Sequence, residues 1–158
     1  MLTDLKYWES FLPPPPRKGR LSDFEEVFKA YESDFPALKD TGLDYPEPGQ
    51  LRKVSSQGET ETQKTEKPEQ LSAGAEFMAK QILDFGQPVY ILTWGSITDL
   101  AQAIHFNPEI KPLIRVYSIG SWNTQQDPKS RDYLWNEHRD FWWIENNTTF
   151  RGMCMGGI

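Results

Sequence analysis

The sequence predicts an α/β fold: a partial open, mostly parallel sheet with flanking helices, of Rossmann-like type. Three observations predict it. From residue 72 onward helical and strand patterns alternate as α-β-α-β-α-β, which implies parallel strands joined by crossover helices. The strand-like runs 88–93 (PVYILT) and 113–119 (LIRVYSI) each lead into a glycine turn, at Gly95 and Gly120. Apolar residues crowd the second half: residues 53–72 carry almost none, and four of the six tryptophans lie between Trp122 and Trp143.

The elements follow in order. Residues 1–21 form a Pro-rich segment, with Pro13–Pro16 followed by Arg17, Lys18 and Arg20. Four prolines fix an extended stretch without amide donors. It reads as a stiff surface loop, with an SH3-type ligand as the alternative. Residues 22–158 are assigned to one domain. Ser22 and Glu25 have capping-box spacing, and Phe24, Val27, Phe28 and Tyr31 make one apolar helical stripe that Pro36 should end. Residues 40–50 are turn-rich, and 53–71 should be a solvated, mobile polar loop.

Ser72 is placed as the N-cap of the next helix, with Met78, Ile82 and Phe85 on one face and Gly86 as its stop. The run 88–93 fits a strand covered on both faces. Ser96 should cap a third helix, with Ile97, Leu100, Ala101 and Ile104 inward and Asn107-Pro108 closing it. After the strand at 113–119, Asp127-Pro128 reads as N-cap plus N1 proline. A third strand falls at 141–144 (FWWI), and most of Trp135, Trp142 and Trp143 should be buried.

Composition excludes several functions. Seventeen Lys+Arg against 23 Asp+Glu give a net charge of −6, which opposes backbone binding to nucleic acid. No apolar run approaches the ~18 residues that span a bilayer. The opening MLTDLKYWES lacks a signal-peptide pattern, so a soluble chain of undetermined compartment is expected. Cys154 is the single cysteine, which rules out an internal disulfide framework, and His105 and His138 are too few for a His-rich metal site.

In open parallel sheets ligands bind beyond the carboxyl ends of the strands. The turn 94–96 can offer helix-start amides to an anion or hydroxyl, or a bent carbonyl to a cation; it can equally be a tight turn with a Ser cap. Asn123 suits a sugar hydroxyl, and Trp122 beside it a ring or sugar face; the alternative is a loop Asn with a core Trp. The polar run 145–149 (ENNTT) lines a pocket or merely turns. The acidic stretch 40–44 follows no strand and reads as a turn. No Ser-His-Asp or Cys-His arrangement and no phosphate loop occurs, so no catalytic residue is assigned.

These motifs resemble a family in order and spacing. Ala75-Glu76-Phe77, then Trp94-Gly95-Ser96-Ile97-Thr98-Asp99-Leu100-Ala101, Asn107-Pro108-Glu109-Ile110, Ile119-Gly120, Asn123 and Asp127-Pro128 are similar to the middle of a nucleoside hydrolase. The divergent branch with Trp-Gly in the turn, the nucleoside hydrolase-like domain of cellulose-binding proteins, resembles the chain most. Its text is similar also at Ala30-Tyr31, Phe35-Pro36-Ala37-Leu38, Tyr45-Pro46, Leu51-Arg52 and Thr149-Phe150-Arg151-Gly152-Met153.

The resemblance implies cleavage of an N-glycosidic (ribosyl) or related glycosyl bond at a calcium site in a complete domain. It implies that the Trp94 main-chain carbonyl takes a calcium-ligand position and that Asn123 binds a ribose hydroxyl, with Ser121 and Trp122 beside it. The family's Asp-rich motif and its C-terminal His and Asp have no match here, so this chain looks like the interior of a longer domain. Alone it is expected to bind no calcium and hydrolyse no nucleoside. The runner-up is a non-catalytic carbohydrate-binding or scaffolding module on the same fold. The expected partner is a nucleoside or carbohydrate, with no nucleic acid or membrane; a homo-oligomer is left open.

Overall fold

The computed structural model describes residues 21–120 and 123–147. The Pro-rich segment up to residue 20, Ser121, Trp122 and everything from Thr148 on, including Cys154, lie outside the described residues.

Helix α1 (Leu21–Lys39) runs past Pro36, which the sequence reading took as its end. Pro36 sits in the last turn, where a missing N–H removes only one bond, and its carbonyl still accepts from Asp40 N at 3.2 Å. Phe28 and Phe35 are buried on this helix, whereas Val27 is exposed, so the stripe runs one turn longer than expected and without Val27. A short helix α2 (Pro48–Lys53), not foreseen, follows within the turn-rich stretch. Pro48 pre-sets its first turn, and the Gln50 side chain accepts from Glu47 N at 3.1 Å. Arg52 then bonds Glu25 and Glu32 of α1 and lies over the Phe28 ring.

The α/β layer is as predicted. Helix α3 (Ala73–Phe85) is capped by Ser72, which accepts from Ala75 N, and ends at Gly86 in the left-handed region. Strands β1 (Val89–Thr93), β2 (Ile114–Ile119) and β3 (Trp142–Asn146) form a parallel sheet in the order β1-β2-β3. Helix α4 (Thr98–Phe106) joins β1 to β2, and α5 (Pro128–Glu137) joins β2 to β3. The pairing aligns Ile91 with Val116 and Val116 with Trp143.

The core lies on one side of this sheet. Ile91, Ile114 and Val116 pack against Met78 and Ile82 of α3, Leu100 and Ile104 of α4, and Leu134 of α5. The other face is uncovered among the described residues. Tyr90 is 75% exposed and Leu92 52%, so β1 is not buried on both faces as its apolar run predicted. The same geometry corrects the expectation of buried tryptophans. Trp142 points outward from β3, and Trp135 lies on α5 between Arg131 and Arg139; both are exposed, and only Trp143 is half-buried.

The polar stretch that follows α2 has no regular structure, yet it is fastened to the body. Gly58 and Pro68 are buried within it. Gly58 packs so tightly on Gly74 that a Cβ at Gly74 would stand 2.6 Å from the Gly58 Cα.

Tyr133 joins two histidines inside the α4–α5 contact. Its hydroxyl lies 2.6 Å from His105 Nδ1 and 2.7 Å from His138 Nε2. One hydroxyl carries one proton, so with both rings neutral it donates to one imidazole and accepts from the other. Burial lowers the pKa of both histidines, with Lys67 adding to the effect at His105 and Lys111 at His138. A folded-state pKa below the unfolded value means the unfolded chain takes up protons first. Stability should therefore be full above the ordinary imidazole value of about 6.5 and fall as pH drops below it. Thermal melts from pH 7.5 to 5.5 should show this decline, and the double variant His105→Asn, His138→Asn should flatten it. An unchanged slope in that variant refutes the assignment.

Candidate functional site

The turn after β1 runs through Trp94, Gly95 and Ser96. Ser96 precedes the helix by two residues rather than capping it: the N-cap position is Ile97, which makes no side-chain cap. Ser96 Oγ still accepts weakly from Thr98 N at 3.4 Å and lies 2.5 Å from Thr98 Oγ1. Thr98 Oγ1 gives its single proton to Asp127 Oδ2 at 2.6 Å, so Ser96 is the donor to Thr98.

Asp127 is the N-cap of α5, as the Asp-Pro pair predicted, accepting from Ser130 N at 3.2 Å. It is 1% exposed and also accepts from Ser130 Oγ at 2.8 Å and from Gln63 N at 3.0 Å. Asp99, in the first turn of α4, ties that helix to the α3 cap and to the loop. It accepts from Ser72 Oγ at 2.5 Å and from Glu59 N at 2.9 Å. Glu59 in turn accepts from Gln102 Nε2 at 3.1 Å and Gln70 Nε2 at 2.9 Å. Burial pushes the Glu59 pKa up, but these bonds and those from the Thr60 and Glu61 amides outweigh it and hold the group ionised.

At the carboxyl ends of the strands Asn123 and Trp94 touch, while Ser121 and Trp122 lie outside the described residues. Asn123 Nδ2 donates to the Trp94 carbonyl at 3.1 Å. Beside them Arg131 Nε donates to Glu145 Oε2 at 3.0 Å, and Trp143 Nε1 to Ser118 Oγ at 2.8 Å. Burial works against the Arg131 charge, and Glu145 outweighs it, raising the pKa. Gly120 leaves room for Asn147, whose Oδ1 would stand 2.2 Å from any Cβ placed there. These groups fill the space: the cavity among Gly95, Ser118, Asn123, Arg131 and Glu145 measures about 10 Å³, room for at most one water. Asn146 bonds the Tyr117 hydroxyl at 2.8 Å, which turns it away from a pocket role. His105 is structural, and Asp40-Thr41-Gly42 is a turn closed by Thr41 Oγ1 on the Leu38 carbonyl.

Calcium takes six to eight oxygens, several of them carboxylate. The Trp94 carbonyl already accepts from Asn123, Asp127 is engaged as the α5 cap, and Asp99 accepts from Ser72 Oγ and Glu59 N. Among the described residues no three His, Cys, Asp or Glu side chains stand together. The described residues by themselves do not fit that ion.

The roomier features were not foreseen. A cleft of about 550 Å³ runs along the outer edge of β1, walled by Met78, Gln81, Ile82 and Phe85 of α3. Phe85, expected inside, is 60% exposed on this wall. The second feature is the uncovered sheet face, where Tyr90, Arg115 and Trp142 stand in one row by register, and Leu92, Tyr117 and Ile144 in the next. Nothing in PVYILT or FWWI distinguishes an uncovered strand from a doubly covered one.

Three parallel strands with crossover helices on one face, and a Trp-Gly turn held by an Asn, define an open α/β domain. The family model described as cellulose-binding Sde182, nucleoside hydrolase-like domain, matches residues 7–156, and the chain belongs to that family. No curated protein and no solved structure matches it. No helix among the described residues is long and apolar enough to cross a membrane.

Because Asp127 ties two helix starts to the loop, Asp127→Ala should lower the unfolding free energy by about 2–4 kcal/mol, a lost cap plus orphaned buried donors. Denaturant melts measure this. A loss as small as an exposed cap gives, under about 1 kcal/mol, contradicts the role.

Proposed function

We propose that this domain binds carbohydrate, with the uncovered sheet face as the contact surface. The observation that carries the reading is the row Tyr90–Arg115–Trp142. Its two outer members lie two strand spacings apart, roughly 9.6 Å, close to the length of a disaccharide unit. Both are substantially exposed. Aromatic faces cover the C–H faces of a pyranose, and a guanidinium between them donates to hydroxyls. Arg115 Nη1 already bonds the Pro112 and Ile114 carbonyls, which holds the guanidinium in place and leaves further N–H groups to donate. Exposed apolar patches of this kind mark interaction surfaces. The family description, cellulose-binding, points to the same chemistry.

A second reading is favoured by one contact. Asn123 lies on the Trp94 carbonyl, the two positions that the resemblance pairs at sugar and metal. In this reading a longer domain containing the chain cleaves an N-glycosidic or related glycosyl bond, with calcium ligands contributed from outside the described residues. Asn123 would orient a sugar hydroxyl, with Ser121 and Trp122 beside it.

Sedimentation with microcrystalline cellulose, and calorimetry with cello-oligosaccharides, test the first reading. The chain should be retained, and Tyr90→Ala and Trp142→Ala should each weaken binding about tenfold or more. Retention unaffected by both variants rules out this face. Nucleoside turnover by the purified chain, abolished by a chelator, would instead favour the second reading.

A further inference from the structure

The His105–Tyr133–His138 cluster has a direction that one buried atom fixes. His138 is the C-cap residue of α5, Tyr133 lies on that helix, and His105 lies in the last turn of α4. The Tyr133 hydroxyl stands 2.6 Å from His105 Nδ1 and 2.7 Å from His138 Nε2. The other ring nitrogen of His138, Nδ1, is buried without a hydrogen-bond partner, and no other side-chain nitrogen or oxygen among the described residues is so placed.

A neutral imidazole carries one N–H and one lone pair. Orphaned N–H groups are rarer in protein interiors than under-satisfied acceptors. The lone pair of His138 therefore sits on Nδ1 and its proton on Nε2. The chain then runs one way. His138 Nε2–H donates to Tyr133 Oη, Tyr133 O–H donates to His105 Nδ1, and His105 keeps its own proton on Nε2.

This order has no place for another proton, because an imidazolium donates from both nitrogens. A proton on His138 Nδ1 is a buried charged donor with no acceptor. A proton on His105 Nδ1 faces the Tyr133 O–H, donor against donor. Turning the hydroxyl toward His138 meets the N–H already on Nε2, and relieving that moves the proton to Nδ1. Every route ends at the same orphaned atom. The charges around the cluster agree. Lys67 of the polar loop faces His105, and Lys111 of the short helical turn Pro108–Leu113 faces His138; both oppose a positive ring. Glu137 and Asp140 favour charge on His138, and Glu137 also faces Tyr133, but Asp140 is bonded to Lys111 at 2.6 Å.

We infer that this cluster is an acid-operated latch: while neutral it closes the end of α5 onto α4, and a single proton opens it as a unit. The opening is local, because Asp127 holds the other end of α5. It frees the last turn of α5 and residues 138–141, which lead into β3 at Trp142.

The chain has two histidines, both in the latch, so nitrogen-15 labelling of histidine reads it directly. At pH 8 both rings should show the Nε2–H tautomer. On acidification both should titrate with one shared midpoint, below the ordinary value of about 6.5. Hydrogen exchange, corrected for the intrinsic effect of pH, should show amides 133–138 losing protection about tenfold or more by pH 5.5 while those of β2 keep theirs. His138→Gln supplies an amide that accepts from Tyr133 without titrating. In that variant the His105 midpoint should rise and the acid opening disappear. The proposal is overturned by an Nδ1–H tautomer at His138, by two separate midpoints, or by unchanged protection of 133–138. Equal loss of protection in β2, or acid opening that survives in a folded His138→Gln, overturns it as well.

Discussion

Asp127 is the point on which the α/β layer is assembled. A buried carboxylate costs several kcal/mol in lost hydration unless it is fully hydrogen-bonded. This one receives hydrogen bonds from the start of α4, the start of α5 and the backbone of the polar loop. The N-terminal dipole of α5 adds to the same attraction. Three segments distant in sequence are thereby fixed at the carboxyl end of the sheet. The Trp94 turn inherits its shape from that arrangement, because Ser96 is held through Thr98. Asp99 repeats the device between α3, α4 and the loop through Ser72 and Glu59.

This solution shapes the chemistry available. The carboxylates nearest the strand ends are occupied in holding helices together. Arg131 and Glu145 neutralise each other, and Asn123 closes on the Trp94 carbonyl. What remains open lies away from the strand ends, on the bare sheet face and along the β1 edge. Parallel sheets are normally covered on both sides. Among the described residues this sheet instead keeps one apolar face and the β1 edge exposed.

Much of the architecture was legible because local chemistry and tertiary structure agree. Ser72, Gly86 and Asp127-Pro128 mark their helix ends where expected. Alternation of helix and strand predicts the parallel order that β1, β2 and β3 adopt. Other features were hidden for physical reasons. Whether Tyr90 and Trp142 meet a helix or solvent depends on partners absent from their own segments. Pro36 looks like a helix end because sequence cannot tell a tolerated last-turn proline from a breaker. The resemblance gives Asn123 to a sugar hydroxyl and the Trp94 carbonyl to calcium; the hydrogen bond between the two and the small volume around it have no counterpart in the sequence.

The approach of Gly58 to Gly74 has a practical side. By composition the stretch after α2 is the natural place to cut the chain, splice in a tag or circularly permute it. Backbone lying on backbone leaves no slack there for an added side chain, and the loop's amides serve as donors to buried carboxylates. Dispensable length is better sought where exposed backbone carries little, as between Gly42 and Asp44. A polar, low-complexity text can thus be the mortar of a fold rather than its slack rope.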